Sequence, residues 1–153
     1  MSIRFVANIL CSFVGTITFS TLFHVPKKFY LSCGFVGTFG WIVCSALSVF
    51  TSSALAAFGG ALIVVFSSRM LTVRKKCPIT VFLIPGIFPL VPGARVYYTV
   101  YYMVTDQLNL AAHSGIEAIK IAFGIVIGMV FIVAIPRKVF QPIYWQERKA
   151  RKA

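Results

Sequence analysis

The sequence predicts an all-α polytopic membrane protein with five transmembrane helices, the fourth of which is broken by proline and glycine. Of the 153 residues 59% are hydrophobic, and the mean hydropathy of +0.89 is too high for a surface that faces water. The few charged residues leave long uncharged gaps, as expected where an ionised side chain near the bilayer centre is costly. We therefore predict a transmembrane domain over residues 1–138 and a basic cytoplasmic tail over residues 139–153.

The charge gaps define the first three spans. One uncharged stretch of single-span length lies between Arg4 and the lysine pair at 27–28. Forty uncharged residues follow before Arg69, and at ~1.5 Å per residue they would form about 60 Å of helix, which is enough for two crossings. A serine-rich run predicts the turn between these two spans, with Ser52 or Ser53 as the N-cap.

Helix start and stop signals define the last two spans. Pro78 suits the first turn of span four. Ser114 and Glu117 have the spacing of a capping box for span five, which Pro136 would end. With Asp106 expected to cap a short helix or to end span four, and Glu117 to cap span five, we expect no carboxylate in mid-membrane. The predicted spans are about 5–25, 29–49, 53–70, 79–104 and 115–135.

The distribution of positive charge predicts the orientation. The basic residues expected on one side are Lys27, Lys28, Arg69, Arg74, Lys75, Lys76, Arg137, Lys138, Arg148, Lys149, Arg151 and Lys152. The other side holds Arg4 and Lys120, while Arg95 lies inside a span. Because cytoplasmic loops carry the excess of Lys and Arg, the N-terminus should lie outside and the C-terminus in the cytoplasm.

The composition argues against several functional classes. Only 12% of the residues are charged, a lower density than nucleic-acid binders carry, so we expect no nucleic-acid partner. The three acids lie far apart in sequence, and the four cysteines have neither metal nor disulfide spacing, so we expect no enzyme, metal or cofactor. The basic tail, which contains Tyr144 and Trp145, is expected to bind anionic lipid headgroups.

Small residues recur at helical spacing in three of the spans. They are Gly34, Gly37 and Gly40 in the second, Ala56 and Gly60 in the third, and Gly124 and Gly128 in the fifth. Such faces let helices approach closely. Packing within the chain is the favoured interpretation and a partner interface the alternative. The sequence has no internal repeat, whereas many transporters are built from two similar halves, so we expect that one half is missing from this chain.

The fourth span contains Pro85, Pro89 and Pro92, with Gly86 and Gly93 directly after two of them. Each proline ring removes one hydrogen-bond donor and collides with the carbonyl four residues earlier. The affected carbonyls belong to Val81, Pro85 and Phe88. Because non-helical backbone at membrane depth is tolerated only against protein or a water-filled cavity, this break is a candidate site.

The chain can restart as a helix at Pro92 or Gly93, which would present free N–H groups and a positive dipole end to the membrane interior. Arg95 lies in this first turn, and Tyr98 follows it on the same face. A guanidinium, free amides and a tyrosine hydroxyl together form a carboxylate receptor. The alternative is that Arg95 snorkels or pairs with a lipid phosphate, while the tyrosines form an interfacial belt.

The five spans, the run VPKKFYLSCGFVGTFGW after the first, and above all CPITVFLIPGIFPLVPGARVYY carry a resemblance to a known family. The chain resembles the small subunit of the two-component threonine/serine exporter family, which is equivalent to the C-terminal half of the single-chain members. The likeness covers nearly the whole chain, and the PGIFPLVPG run is its specific part.

The resemblance implies export of small amino acids or related carboxylates across a bacterial inner membrane, together with a larger membrane subunit. It carries a functional role onto Pro85, Gly86, Pro89, Pro92 and Gly93, whereas the roles of Arg95 and Tyr98 rest on the residues themselves. The competing hypotheses are a non-transporting membrane scaffold or assembly factor, for which the proline-rich run would be a docking surface, and a channel subunit.

Overall fold

The structure is a computed structural model and describes residues 2–135, which form helices joined by short turns and no strand. The helices are α1 (Ser2–Leu22), α2 (Tyr30–Leu47), α3 (Ser53–Lys75), α4 (Thr80–Ile87), α5 (Gly93–Val104) and α6 (Leu108–Val133). Single 3₁₀ turns precede α2 at Lys27–Phe29 and follow α4 at Phe88–Leu90. The basic tail, with Tyr144 and Trp145, lies outside the described residues.

Four of these helices are long and apolar enough to cross a membrane, namely α1, α2 with its preceding 3₁₀ turn, α3 and α6. The segments Thr80–Leu90 and Gly93–Val104 pass the same test together and are bent by 48° at the break between them. Counted as one span, this pair gives five crossings by length and composition. The predicted class, an all-α polytopic membrane protein, is confirmed, with four spans or, if the bent pair is one span, five.

Left-handed residues end three of the helices. His24 after α1, Lys76 after α3 and Asp106 after α5 have φ values of 54°, 49° and 58°. A residue in this conformation turns the chain away from the helix axis. Ser52 is the N-cap residue of α3, as predicted, but its hydroxyl makes no capping hydrogen bond. Asp106 lies in the turn after α5, which agrees with the second of its two expected roles.

The small residues pack the helices of this chain against one another. A Cβ on Gly37 would collide with the side chain of Thr16 on α1, and a Cβ on Gly60 would lie 3.0 Å from the carbonyl oxygen of Gly40. A Cβ on Gly124 would collide with the backbone of Ala54 at the start of α3. The prediction of packing within the chain is therefore confirmed at these positions, because only a missing side chain permits such approach.

The core lies where α2, α3, α4 and α6 meet. Its buried members include Val36, Val64 and Ile121. Leu90, in the 3₁₀ turn after α4, joins this core and reaches the place where Gly40 and Gly60 bring α2 and α3 together. This packing fixes the end of α4 and so the position of the break.

The expected capping box at Ser114 and Glu117 is wrong. Helix α6 begins at Leu108, with Gln107 as its N-cap residue, so Ser114 and Glu117 lie in the helix interior. Ser114 is buried, and Ala111 and Ala118 continue its face at helical spacing. The buried face of the helix therefore extends upstream of the capping signature, and a carboxylate lies within a candidate span, contrary to the expectation of none.

Helix α3 continues past the predicted end of span three, and Arg69, which we expect on the cytoplasmic side, is a buried residue in its interior. Its guanidinium donates hydrogen bonds to the carbonyls of Val133, at 2.7 Å, and Ile135. These carbonyls lie at the C-terminal end of α6, where helix carbonyls lack partners and positive charge is favourable. Arg69 thus joins the ends of α3 and α6.

Candidate functional site at the broken helix

The three prolines break the fourth span gradually, and other donors replace the lost hydrogen bonds. The carbonyl of Val81 accepts a hydrogen bond from the Cys33 thiol at 3.3 Å. The carbonyl of Pro85 accepts from the N–H of Phe88, and that of Phe88 from the N–H of Val91 at 3.1 Å. Because the Val81 carbonyl is satisfied from α2, α4 continues through Pro85, and the sharp bend comes only before α5.

The first part of the break is packed inside the chain. Pro85 is fully buried, and a Cβ on Gly86 would lie 2.8 Å from Cγ1 of Val36 on α2. Pro89 is half-buried in the 3₁₀ turn. These three residues are placed to shape the contact between α4 and its neighbours.

The second part of the break is open. Pro92 is the N-cap residue of α5, and a Cβ on Gly93 would meet no atom within 4 Å. The N–H of Gly93 donates to the Val91 carbonyl, whereas among the described residues the N–H groups of Ala94 and Arg95 have no acceptor. The start of α5 therefore carries two free donors and the positive end of a helix dipole, as the sequence predicts.

Arg95 pairs with Glu117 across the α5–α6 hairpin. Nη1 of Arg95 lies 2.7 Å from Oε2 of Glu117, and the two side chains are 44% and 28% exposed. The contact is an ion pair that lacks the alignment of a hydrogen bond, since Oε2 is a buried oxygen to which no group among residues 2–135 donates a hydrogen bond. The Glu117 carboxylate thus pairs with the guanidinium to which we expect a substrate carboxylate to bind.

Sequence reasoning missed Glu117 as a partner of Arg95. The signal was present in the spacing, because the two residues lie eleven positions before and eleven positions after Asp106. Asp106 is in the turn of an antiparallel helix pair, so equal distances from it bring two side chains to one level. The capping-box spacing of Ser114 and Glu117 pointed to a different role.

Tyr98 lies beside this pair on α5. Its ring stacks on that of Tyr102, with centroids 6.0 Å apart, and its side chain is exposed. The residue of α5 that faces α6 after Arg95 is Thr99, which packs near Gly115 and donates its hydroxyl to the Arg95 carbonyl at 2.8 Å. Tyr98 is therefore next to the guanidinium along the helix but makes no hydrogen bond to it within residues 2–135.

The remaining polar chemistry is sparse. In the described part of the chain no three His, Cys, Asp or Glu side chains form a metal-binding group. The four cysteines are free. Burial raises the pKa of the Cys77 thiol, in the turn between α3 and α4, and the nearby Lys28 and Lys75 partly offset this. Arg95 and Glu117 are the charged pair at the break.

Comparison with known proteins agrees with this architecture. The family model described as threonine/serine exporter, ThrE, matches residues 8–135, which run from within α1 to the end of the described chain and include the whole of the break. No curated protein and no solved structure matches the chain. The match covers most of the chain, which therefore belongs to the threonine/serine exporter family.

Proposed function

We propose that this multi-pass membrane chain of an amino-acid exporter family is one subunit of a heteromeric exporter in the bacterial inner membrane. It acts in transport rather than in catalysis, and its substrates are small amino acids or related carboxylates. The substrate carboxylate binds at the open part of the broken span, on Arg95 and the first turn of α5.

The observation that carries this proposal is the combination of free donors and positive charge at the start of α5. Two backbone N–H groups there lack an acceptor in the part of the chain that the structure describes, and the Arg95 guanidinium is partly exposed beside them. A positive charge in the first turn is unfavourable for the helix itself. An anion would relieve that repulsion and accept the free N–H groups, so the arrangement suits a carboxylate.

The surroundings of α5 support a second subunit. No residue of α5 is buried, and its main packing is against α6. The ion pair on this hairpin is partly exposed and lies within candidate membrane-spanning segments. Since charged groups in a membrane face protein or a water-filled cavity rather than lipid, a larger membrane subunit of the same family would cover this pair.

The scaffold hypothesis receives less support. It requires the proline-rich run as a docking surface, but Pro85 and Gly86 pack inside this chain against α2 and α3. Only the part of the run from Val91 onward is open, and it contains the free donors described above.

Co-expression and reconstitution test the proposal. The chain is purified in mild detergent to identify the membrane protein that accompanies it, and both chains are placed in liposomes loaded with labelled serine or threonine. We expect movement of the amino acid with both chains and background movement with this chain alone. Transport by the single chain would contradict the two-subunit proposal, and no transport by the assembled pair would contradict the exporter function.

A further inference from the structure

We propose that Glu117 binds the ammonium group of the transported amino acid while Arg95 binds its carboxylate. This inference rests on the proposed function and adds a second binding residue, on α6, to the same site. The ion pair seen without substrate is then the resting state of a receptor for a zwitterion.

The geometry matches the charges of an amino acid. A free amino acid carries a carboxylate and an ammonium on one carbon atom, so its opposite charges lie only a few atoms apart. Arg95 and Glu117 present the complementary charges 2.7 Å apart on two adjacent helices. A zwitterion that enters between them replaces the contact between Arg95 and Glu117 with two new ion contacts. Its carboxylate pairs with Arg95 and its ammonium with Glu117, so neither protein charge is left without a counter-ion.

The start of α5 fixes the orientation of the zwitterion. The free N–H groups of Ala94 and Arg95 and the positive dipole end lie on the Arg95 side. They favour the carboxylate there and disfavour an ammonium. The ammonium is therefore directed to Glu117, on the neighbouring helix.

Glu117 has acceptor capacity for this role. Its Oε2 is buried and receives no hydrogen bond from the described residues, even though Arg95 lies beside it. An ionised carboxylate accepts up to about four hydrogen bonds, and an ammonium offers three donors. An amino group would thus supply the hydrogen bond that the guanidinium does not.

A purely structural role for the pair is less consistent with the hairpin. The turn Thr105–Gln107 already joins α5 to α6, and Thr99 packs within 3.3 Å of a Cβ placed on Gly115. Both charged side chains remain partly exposed in the pair. A pair that served only to hold the helices together would not need that access.

The test compares serine with glycerate, which carries a hydroxyl in place of the ammonium and is otherwise the same. The assembled complex is reconstituted, and the two compounds compete for export of labelled serine. Wild type should prefer serine over glycerate, because only serine can use Glu117. Glu117→Gln should weaken the apparent affinity for serine roughly ten- to a hundred-fold and change that for glycerate by less than about threefold.

Two variants serve as controls. Lys120→Gln removes an exposed charge one turn along the same helix and should leave the preference for serine unchanged. Glu117→Asp keeps the negative charge and should keep the preference, although with weaker binding. All rates are normalised to the amount of assembled complex.

The outcomes separate this inference from the proposed function. If the wild-type complex exports serine but glycerate competes equally well, the ammonium site is contradicted while the exporter function stands. The same holds if Glu117→Gln keeps the full preference for serine. If Glu117→Gln does not assemble, the competition between serine and glycerate in the wild-type and Glu117→Asp complexes still tests the ammonium site. A wild-type complex that exports nothing contradicts the proposed function itself.

Discussion

Replacing Gly124 with alanine should separate α3 from α6. The added Cβ would overlap the carbonyl oxygen of Ala54 and lie 3.2 Å from its carbon. These are backbone atoms, which cannot rotate away as a side-chain end can. Gly15 in α1 is the matched control, because a Cβ there meets nothing within 4 Å.

The expected magnitude follows from two opposing effects. Overpacking of this kind costs about 1–3 kcal/mol, and contact with backbone places Gly124→Ala near the upper end. Alanine in place of glycine within a helix gains about 0.5–1 kcal/mol in either variant. The difference between the two variants is therefore the collision itself, roughly 2–3 kcal/mol.

Thermal unfolding of the purified chain in detergent, followed by size-exclusion fluorescence, measures this difference. With about 2–4 °C per kcal/mol for a chain of this size, Gly124→Ala should unfold roughly 4–12 °C below Gly15→Ala. Equal stability of the two variants would refute the close packing of α3 on α6. Normal stability with loss of the partner subunit would instead place Gly124 at an interface between chains.

Three further predictions concern other parts of the fold. Because burial raises the pKa of Cys77, the rate of its maleimide labelling should increase at a higher pH than the rate for an ordinary thiol. Lys75→Gln should shift this increase in rate to a still higher pH. Labelling rates measured from pH 6 to 10, with Cys11 and Cys44 replaced, test both expectations. Arg69→Ala should lower stability by about 1.5–3 kcal/mol in the same unfolding assay, and Arg69→Lys should rescue it only partly, because lysine lacks the fork that reaches both carbonyls. A reporter that functions only in the cytoplasm should be active when it is fused after Ala153, because the basic residues predict a cytoplasmic C-terminus. Activity only of a reporter that functions outside the cytoplasm would reverse the topology.

The spans and the break could be predicted because they depend on local properties of the chain. Charge gaps mark apolar helices wherever these pack, and Pro85, Pro89 and Pro92 disturb the helix whatever surrounds them. The donor that satisfies the Val81 carbonyl could not be predicted. It is Cys33, on a helix 48 residues earlier, and only the packing of α2 against α4 brings the two together.

Only the part of the candidate site that lies on α5 could be predicted from the sequence. The free donors and Arg95 follow from where α5 restarts, which the prolines indicate. Glu117 required the register of the α5–α6 hairpin, and that register depends on a turn of three residues around Asp106. The capping-box spacing predicted a helix start at Ser114, but the buried face from Ala111 to Ala118 continues the helix through it. Tertiary packing thus overrode a local signal.

The most direct test of the substrate site is the apparent affinity for serine in the reconstituted complex with Arg95→Ala and Arg95→Lys. A charge-assisted hydrogen bond is worth roughly 1.5–3 kcal/mol, so Arg95→Ala should weaken the apparent affinity about ten- to a hundred-fold at equal amounts of assembled complex. Arg95→Lys should also lose affinity, because it keeps the charge but not the bidentate geometry. Full activity of Arg95→Lys would favour lipid anchoring, since a snorkelling side chain tolerates that change. Wild-type affinity in Arg95→Ala would contradict a carboxylate site at this residue.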